Sequence, residues 1–377
     1  MHLYLDNAEH LWPYLLLLLA YLMLALHSEL FKSKSFFLFM PALLVIFAGL
    51  GENMTPDMDR YRSMYEAVGS GYLIPIEPSF NFFSKVLNGL ALNYHSLFFV
   101  YSFITLAFVC IGIKNYTDHF KLSLLLYVLI PSCFLNLFVE IREICAVAIV
   151  FYATSLIVKR NIKQRFIKVL FFLILSILFH YSAIIYWVLF VLLYKFLKRR
   201  NSIWIHLAIL SVSLLIPTSV LIASIHAVAY PFLPGKYQGY FNIFMEMESQ
   251  LAESGQVLKS VVYTLMACFF SLWGARLEKQ DNAHIFVNLF VVGVVILNLT
   301  RSFADISRLA YFFLIFQIVI FPLIVQKQKH KIKALSVAYL IVVFYFTQFI
   351  WGLFFYSEEA GSYVFLHYQN VLLSMLQ

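Results

Sequence analysis

Charge is scarce in this chain. Asp, Glu, Lys and Arg make up 12% of its 377 residues, against roughly a quarter in an ordinary soluble domain. That composition excludes a water-soluble globule. Cysteine is also scarce: Cys110, Cys133, Cys145 and Cys268 all fall inside apolar runs. No loop cysteine is available for a disulfide framework, and the compartment cannot be read from them. Motifs are missing too, with no phosphate-binding Gly loop, no HExxH, no GxSxG and no Cys/His cluster at metal-ligand spacing. No nucleotide, metal or other cofactor is therefore implied. What remains is a 62% hydrophobic chain whose long apolar runs recur from end to end. Lipid satisfies no backbone polar group, so such runs predict an all-α, polytopic transmembrane helical bundle. The polar/apolar alternation of a membrane β-barrel is absent.

The first run, Leu11 to Leu26, has no positive flank and no small-residue cleavage site, and reads as a span rather than a signal peptide. The expected spans are 11–28, 36–51, 95–113, 122–138, 144–158, 166–180, 182–197, 203–224, 259–275, 284–299, 309–326 and 335–354. These twelve put both termini on one side. The loops around Lys32, Lys114, Lys159–Lys168, Lys195–Arg200, Arg276 and Lys327–Lys333 then share the other side and hold 19 of the 27 basic residues. The positive-inside rule makes that side cytoplasmic. The basic balance of +8 belongs to these loops and gives no case for nucleic acid. The chain reads as a single integral-membrane domain, 1–377, with outer segments 52–94, 225–258 and 300–308. Spans 122–138 and 144–158 are short for a hydrocarbon core of about 30 Å, so the turn between them, with Glu140, Arg142 and Glu143, is expected to lie recessed. His180 holds the same kind of position between 166–180 and 182–197. One continuous span through 166–194 is the alternative there.

The outer segments hold the candidate chemistry. Glu52 to Glu66 carries six charged side chains between greasy neighbours. Thr55-Pro56 predicts a helix start, and Asp57, Tyr61 and Tyr65 then follow at i, i+4 and i+8 on one face. A carboxylate beside two phenols suits a sugar; it equally suits a solvated helix whose Asp57 serves the dipole. Pro78 to Tyr94 predicts an interfacial helix, with Phe80, Phe83, Leu87 and Leu90 opposite Asn81, Lys85 and Asn88. Arg142 stands between Glu140 and Glu143, either as a site residue or in a local ion pair. His180 caps a helix end, either structurally or for chemistry. Arg301, Asp305 and Arg308 share a face near an outer span end, where Arg301 and Asp305 could pair. Tyr237 and Tyr240, in an aromatic-rich outer stretch, could stack on sugar rings or anchor at the interface.

Four stretches, "PDMDRYRSMY", "IREICA", "LFHYSAIIY" and "SRLAYFF" with a later Pro, occur in the order of motifs in the EpsG family of exopolysaccharide proteins. That group is similar to the Wzy-type O-antigen polymerases. The resemblance covers about residues 50 to 325. Asp57 and Tyr61 fall on the family's Asp-x-x-x-Tyr, Arg142 on its Arg-x-x-x-Ala, His180 on its His-x-Ser-Ala and Arg308 on its Arg-x-x-Tyr. Thr55-Pro56 stands where the family commonly has Gly, and Glu143 where it often has Gln. The resemblance implies a fold like the membrane-embedded glycosyltransferases that use lipid-linked donors. It implies a polymerase in a bacterial inner membrane, facing the periplasm or outside, that joins undecaprenyl-pyrophosphate-linked oligosaccharide repeats. Membrane lipid and a chain-length regulator protein would be its partners. Asp57 or His180 would activate the acceptor hydroxyl; Arg142, Arg301 and Arg308 would grip the pyrophosphate, and Tyr61, Tyr65, Tyr237 and Tyr240 the sugars. A flippase for lipid-linked oligosaccharide is the rival reading.

Overall fold

The computed structural model describes residues 11–52, 55–159, 166–218, 220, 224, 254–274, 282–302, 304–328, 330–355, 365 and 368–370. The segment with Tyr237 and Tyr240 lies outside these residues. Each of the twelve apolar runs carries helix, as it must where water offers no backbone partner. Among the described residues five helices are long and apolar enough to cross a membrane: Trp12–Leu30, His95–Tyr116, Ile141–Val158, Arg308–Gln326 and Ile332–Phe354. Six shorter apolar helices fill other expected positions. The protein is a multi-pass membrane protein.

The run expected as span 122–138 is bent. Its first helix, Phe120–Leu129, ends where Ile130 turns extended before Pro131, and the second part, Pro131–Leu137, leaves at 82°. Proline disfavours helical backbone in the residue before it and brings no N–H. Ten residues rise only about 15 Å, so neither limb spans alone; the two together are a broken span or a re-entrant loop.

The chain divides into two compact units, Met1–Ile184 with Phe321–Gln377, and Ile185–Ile320. The first contains α1 (Trp12–Leu30), α2 (Ser35–Gly49), α3 (Pro56–Gly69), α4 (Pro78–Gly89), α5 (His95–Tyr116), α6 (Phe120–Leu129), α7 (Pro131–Phe134), α8 (Ile141–Lys159) and α9 (Phe166–Phe179). The late helix Lys331–Phe355 packs on α6 and α7 in the same unit. At its centre α8 packs between α5 and α9. Gly112 permits the α5–α8 approach, since a Cβ there would lie 2.6 Å from the Phe151 ring. Tyr116 donates to the Phe151 carbonyl at 2.8 Å and Asn115 to Ser155 Oγ at 2.8 Å, tying the same two helices.

The charged stretch after α2 becomes α3, an amphipathic helix against α4. Met58, Tyr61, Tyr65 and Val68 are buried at the helical repeat, while Asp59, Arg60, Ser63 and Glu66 are exposed. The two ends of this unit differ in chemistry. At one, Lys121 at the start of α6 meets Glu29 at the end of α1, 2.5 Å apart. At the other, Gly51–Glu52 (β1) pairs antiparallel with Gln369–Asn370 (β2). The second unit begins within the helix Ala183–Leu192 (α10). It contains α11 (Tyr194–Lys198), α12 (Ile203–Leu215), α13 (Ser254–Gly274), α14 (Ala283–Leu299), α15 (Ala304–Ser307) and α16 (Tyr311–Leu314). Its core is α14 against α12 and α13.

Candidate functional site

Four chain segments of the first unit converge: the start of α3, the start of α4, the start of α8 and the turn after α9. Thr55 fixes the first by donating to the Phe138 carbonyl at 3.2 Å, just ahead of α8. The loop before α4 is folded on Asn81, whose Nδ2 donates to Ile74 O at 2.8 Å and whose Oδ1 accepts from Ile74 N at 3.0 Å. Ser79 and Tyr101 share a hydrogen bond at 2.9 Å, pinning α4 to α5. These contacts set Glu77, the residue before Pro78, inside the unit at 4% exposure.

Glu77 stands at an N-cap yet makes no side-chain cap to its own helix. Its two oxygens are divided. Oε2 takes a hydrogen bond from Arg142 Nη1, and Oε1 lies 2.6 Å from His180 Nδ1, off the line of the ring N–H. On the other side of the imidazole, Glu143 Oε2 lies 3.8 Å from Nε2. Glu143 is buried in the first turn of α8, where the helix N-terminus favours an anion. Arg142 Nε donates to the Tyr61 hydroxyl at 3.4 Å, with the guanidinium 5.7 Å from that ring's centre. Burial opposes the Glu77 charge, but the contacts with His180 and Arg142 outweigh it and hold the carboxyl at about 2. Burial raises the Tyr61 phenol against the pull of the Arg142 charge, and the charges of Asp57 and Glu140 act on the same hydroxyl.

The structure therefore gathers Arg142, His180 and Tyr61 in one cluster, and Asp57 lies one helical turn before Tyr61, where its charge acts on the phenol. The local alternative for Arg142 was a pair with Glu140 or Glu143; the acid it meets is Glu77, 65 residues away in sequence. Among the described residues its hydrogen-bond partners are Glu77 and Tyr61, and Nη2 has none. That nitrogen belongs to a side chain 19% exposed and keeps its N–H donors for an oxyanion. Helix α9 stops at Phe179, and His180 opens a three-residue break before α10, so 166–194 is not one continuous helix. Tyr65 turns inward: it is buried and donates to Leu92 O at 2.8 Å.

Arg301 and Arg308 belong to the second unit. Arg301 Nη1 donates to Leu214 O at 3.1 Å and Asn298 O at 2.8 Å, closing the ends of α12 and α14. Arg308 opens the short 3₁₀ turn before α16 and is partly exposed. No group of three or more metal-ligating side chains occurs among the described residues, and all four cysteines are free thiols.

Glu77 is the residue that motif reading missed. One signal was available in "IEPSF": Glu is a weak N-cap beside Ser, Thr, Asp or Asn, so a Glu at a Pro-led helix start is free to be used elsewhere.

A family model described as the EpsG family matches residues 34–370. No curated protein and no solved structure matches the chain.

Proposed function

From the premise that this chain belongs to the EpsG family, we propose that it polymerises lipid-linked oligosaccharide repeats of an O-antigen, capsule or exopolysaccharide. Family membership supports a polysaccharide-polymerase role in general; the donor, acceptor and residue roles are our reading. A hydroxyl of the acceptor repeat attacks the anomeric carbon of the donor glycan. The bond from that carbon to undecaprenyl pyrophosphate breaks, and its electron pair leaves on the pyrophosphate oxygen. The hydroxyl proton passes to a base, with His180 and Asp57 as the candidates. The observation that carries the reading is Arg142, a cation largely sunk in the protein with Nη1 fixed on Glu77, Nε on Tyr61 and Nη2 open. Such a group can take up the charge that develops on a leaving pyrophosphate. Arg308, on the family's Arg-x-x-Tyr, is the second candidate for that charge, and Tyr61 lines the site as the hydroxyl beside Arg142.

In this reading the protein lies in a bacterial inner membrane with the cluster facing the periplasm or outside, and membrane lipid and a chain-length regulator are its partners. Glycan analysis of a deletion strain tests it. Single capped repeats on the lipid carrier are the expected result. Repeats stranded on the inner leaflet would make the protein a flippase instead.

A further inference from the structure

We infer that Glu77 is a positioning residue of this site, an internal carboxylate that holds Nη1 of Arg142 and braces His180 so that the open Nη2 meets the donor pyrophosphate. The inference rests on the polymerase reading above. A carboxylate 4% exposed is costly to bury unless its charge is matched, and here both oxygens are committed, one to Arg142 and one to His180. Its place is set before any ligand arrives, by the Asn81 clamp on Ile74 and the Ser79–Tyr101 link. The consequence is a trade between two properties of one side chain. Its reach holds two groups from α8 and the α9 turn in register. Its charge repels the phosphate that Arg142 must bind. Reach and charge together serve turnover, because the hold on Arg142 is ionic, and the charge also works against affinity. A carboxylate that merely stabilised the fold would show no such opposition, because losing it would lower binding and turnover together.

Two substitutions separate these properties. Glu77→Gln keeps the length and removes the charge; Glu77→Asp keeps the charge and shortens the reach. Purified full-length protein in detergent is titrated with farnesyl pyrophosphate, a short soluble isoprenyl pyrophosphate, at low ionic strength. The glycan ladder is measured in a deletion host at matched membrane abundance. Glu77→Gln should bind the probe about tenfold more tightly than wild type, since a like charge near the anion is gone, yet make less ladder. Glu77→Asp should bind as wild type does and also make less ladder. A Glu77→Gln protein that binds no more tightly, or that makes a normal ladder, overturns the inference. If Glu77→Gln fails to accumulate, Glu77→Asp decides: wild-type affinity with a reduced ladder supports the inference, and a normal ladder overturns it. Wild-type protein that ignores farnesyl pyrophosphate defeats the donor reading itself, and this inference with it.

Discussion

His180 and His206 are both held among polar side chains, in opposite ways. His206, on α12, is 3% exposed and has a neutral partner at each ring nitrogen: Ser271 Oγ at 2.8 Å from Nδ1 and Asn288 Oδ1 at 2.9 Å from Nε2. The Asn288 amide nitrogen is already spent on the carbonyls of Phe196, Leu197 and Arg199, at 2.9 to 3.1 Å. Its oxygen must therefore accept, which puts the proton on His206 Nε2. His180 has a carboxylate on either side, an aligned hydrogen bond to neither, and a side chain 24% exposed. A closed neutral network has nothing left to offer a substrate and serves to lock helices together. An open ionic one retains charge and donors that a ligand can engage. In the proposed function the first region serves stability and the second serves chemistry.

The sharpest way to break that assignment is at Arg142. Arg142→Ala should cut polymer formation by on the order of 10²–10³, the usual cost of removing one charge-stabilising contact, at wild-type membrane abundance. Arg142→Lys should also be impaired, because it keeps the charge and loses the fork. Arg308→Ala in the same ladder assay shows whether the second unit shares this task, and a loss of similar size is expected. Normal ladders from Arg142→Ala would reduce the cluster to a structural ion pair. His180→Ala should follow with a loss on the order of 10², the low end for a general base, again without loss of protein. A His180→Ala protein that fails to accumulate but is fully active per molecule would place it with His206.

Much of the fold was legible because an apolar run in lipid has one regular solution, so each of the twelve runs became helix. The 82° bend at Pro131 was not read, although the restriction proline puts on Ile130 was present in the sequence. Arg142 and His180 were legible as polar side chains at span ends within ordered motifs. Glu77 was hidden for a physical reason: an ion pair between residues 65 apart leaves no periodicity to find. Neighbouring Glu140 and Glu143 looked the nearer partners, yet residues adjacent along a helix do not face each other. Spacing placed Tyr65 with Tyr61 on one face of α3. Whether that face met substrate or protein could not be read from spacing, and Tyr65 meets Leu92.

The opposite arm of the comparison is His206. Replacing His206 with Ala leaves Asn288 Oδ1 short of a buried partner, while Ser271 Oγ keeps the Ala267 carbonyl at 2.7 Å; such a loss typically costs about 1–3 kcal/mol. The expected result is a lower unfolding midpoint in detergent and less protein in the membrane, with ladder per molecule unchanged. Asn288→Ala should do the same, as its nitrogen also ties the end of α11 to α14. A loss of activity per molecule at normal stability would put the second network into the chemistry and remove the distinction.

The smallest effect is in acid, and it isolates the ionic cluster from the rest of the protein. Glu77 is held at about 2 in the fold, below its ordinary 4.5. A depressed carboxylate adds stability that is fully present above the unfolded value and is lost as pH falls through 4.5 toward 2. By pH 4 the protein should have lost about 1 kcal/mol from this group, because the unfolded chain already binds part of a proton there while the folded one does not. Other carboxylates titrate in the same window, so the useful quantity is a difference. The unfolding midpoint is followed from pH 6 to pH 4 for wild type and for Glu77→Gln. Wild type should fall more steeply, and the variant should lack that share of the slope while starting from a lower midpoint at pH 6. Parallel slopes would mean that Glu77 gains nothing from Arg142 and His180 when the chain folds. The ionic cluster would then owe none of its stability to the Glu77 charge.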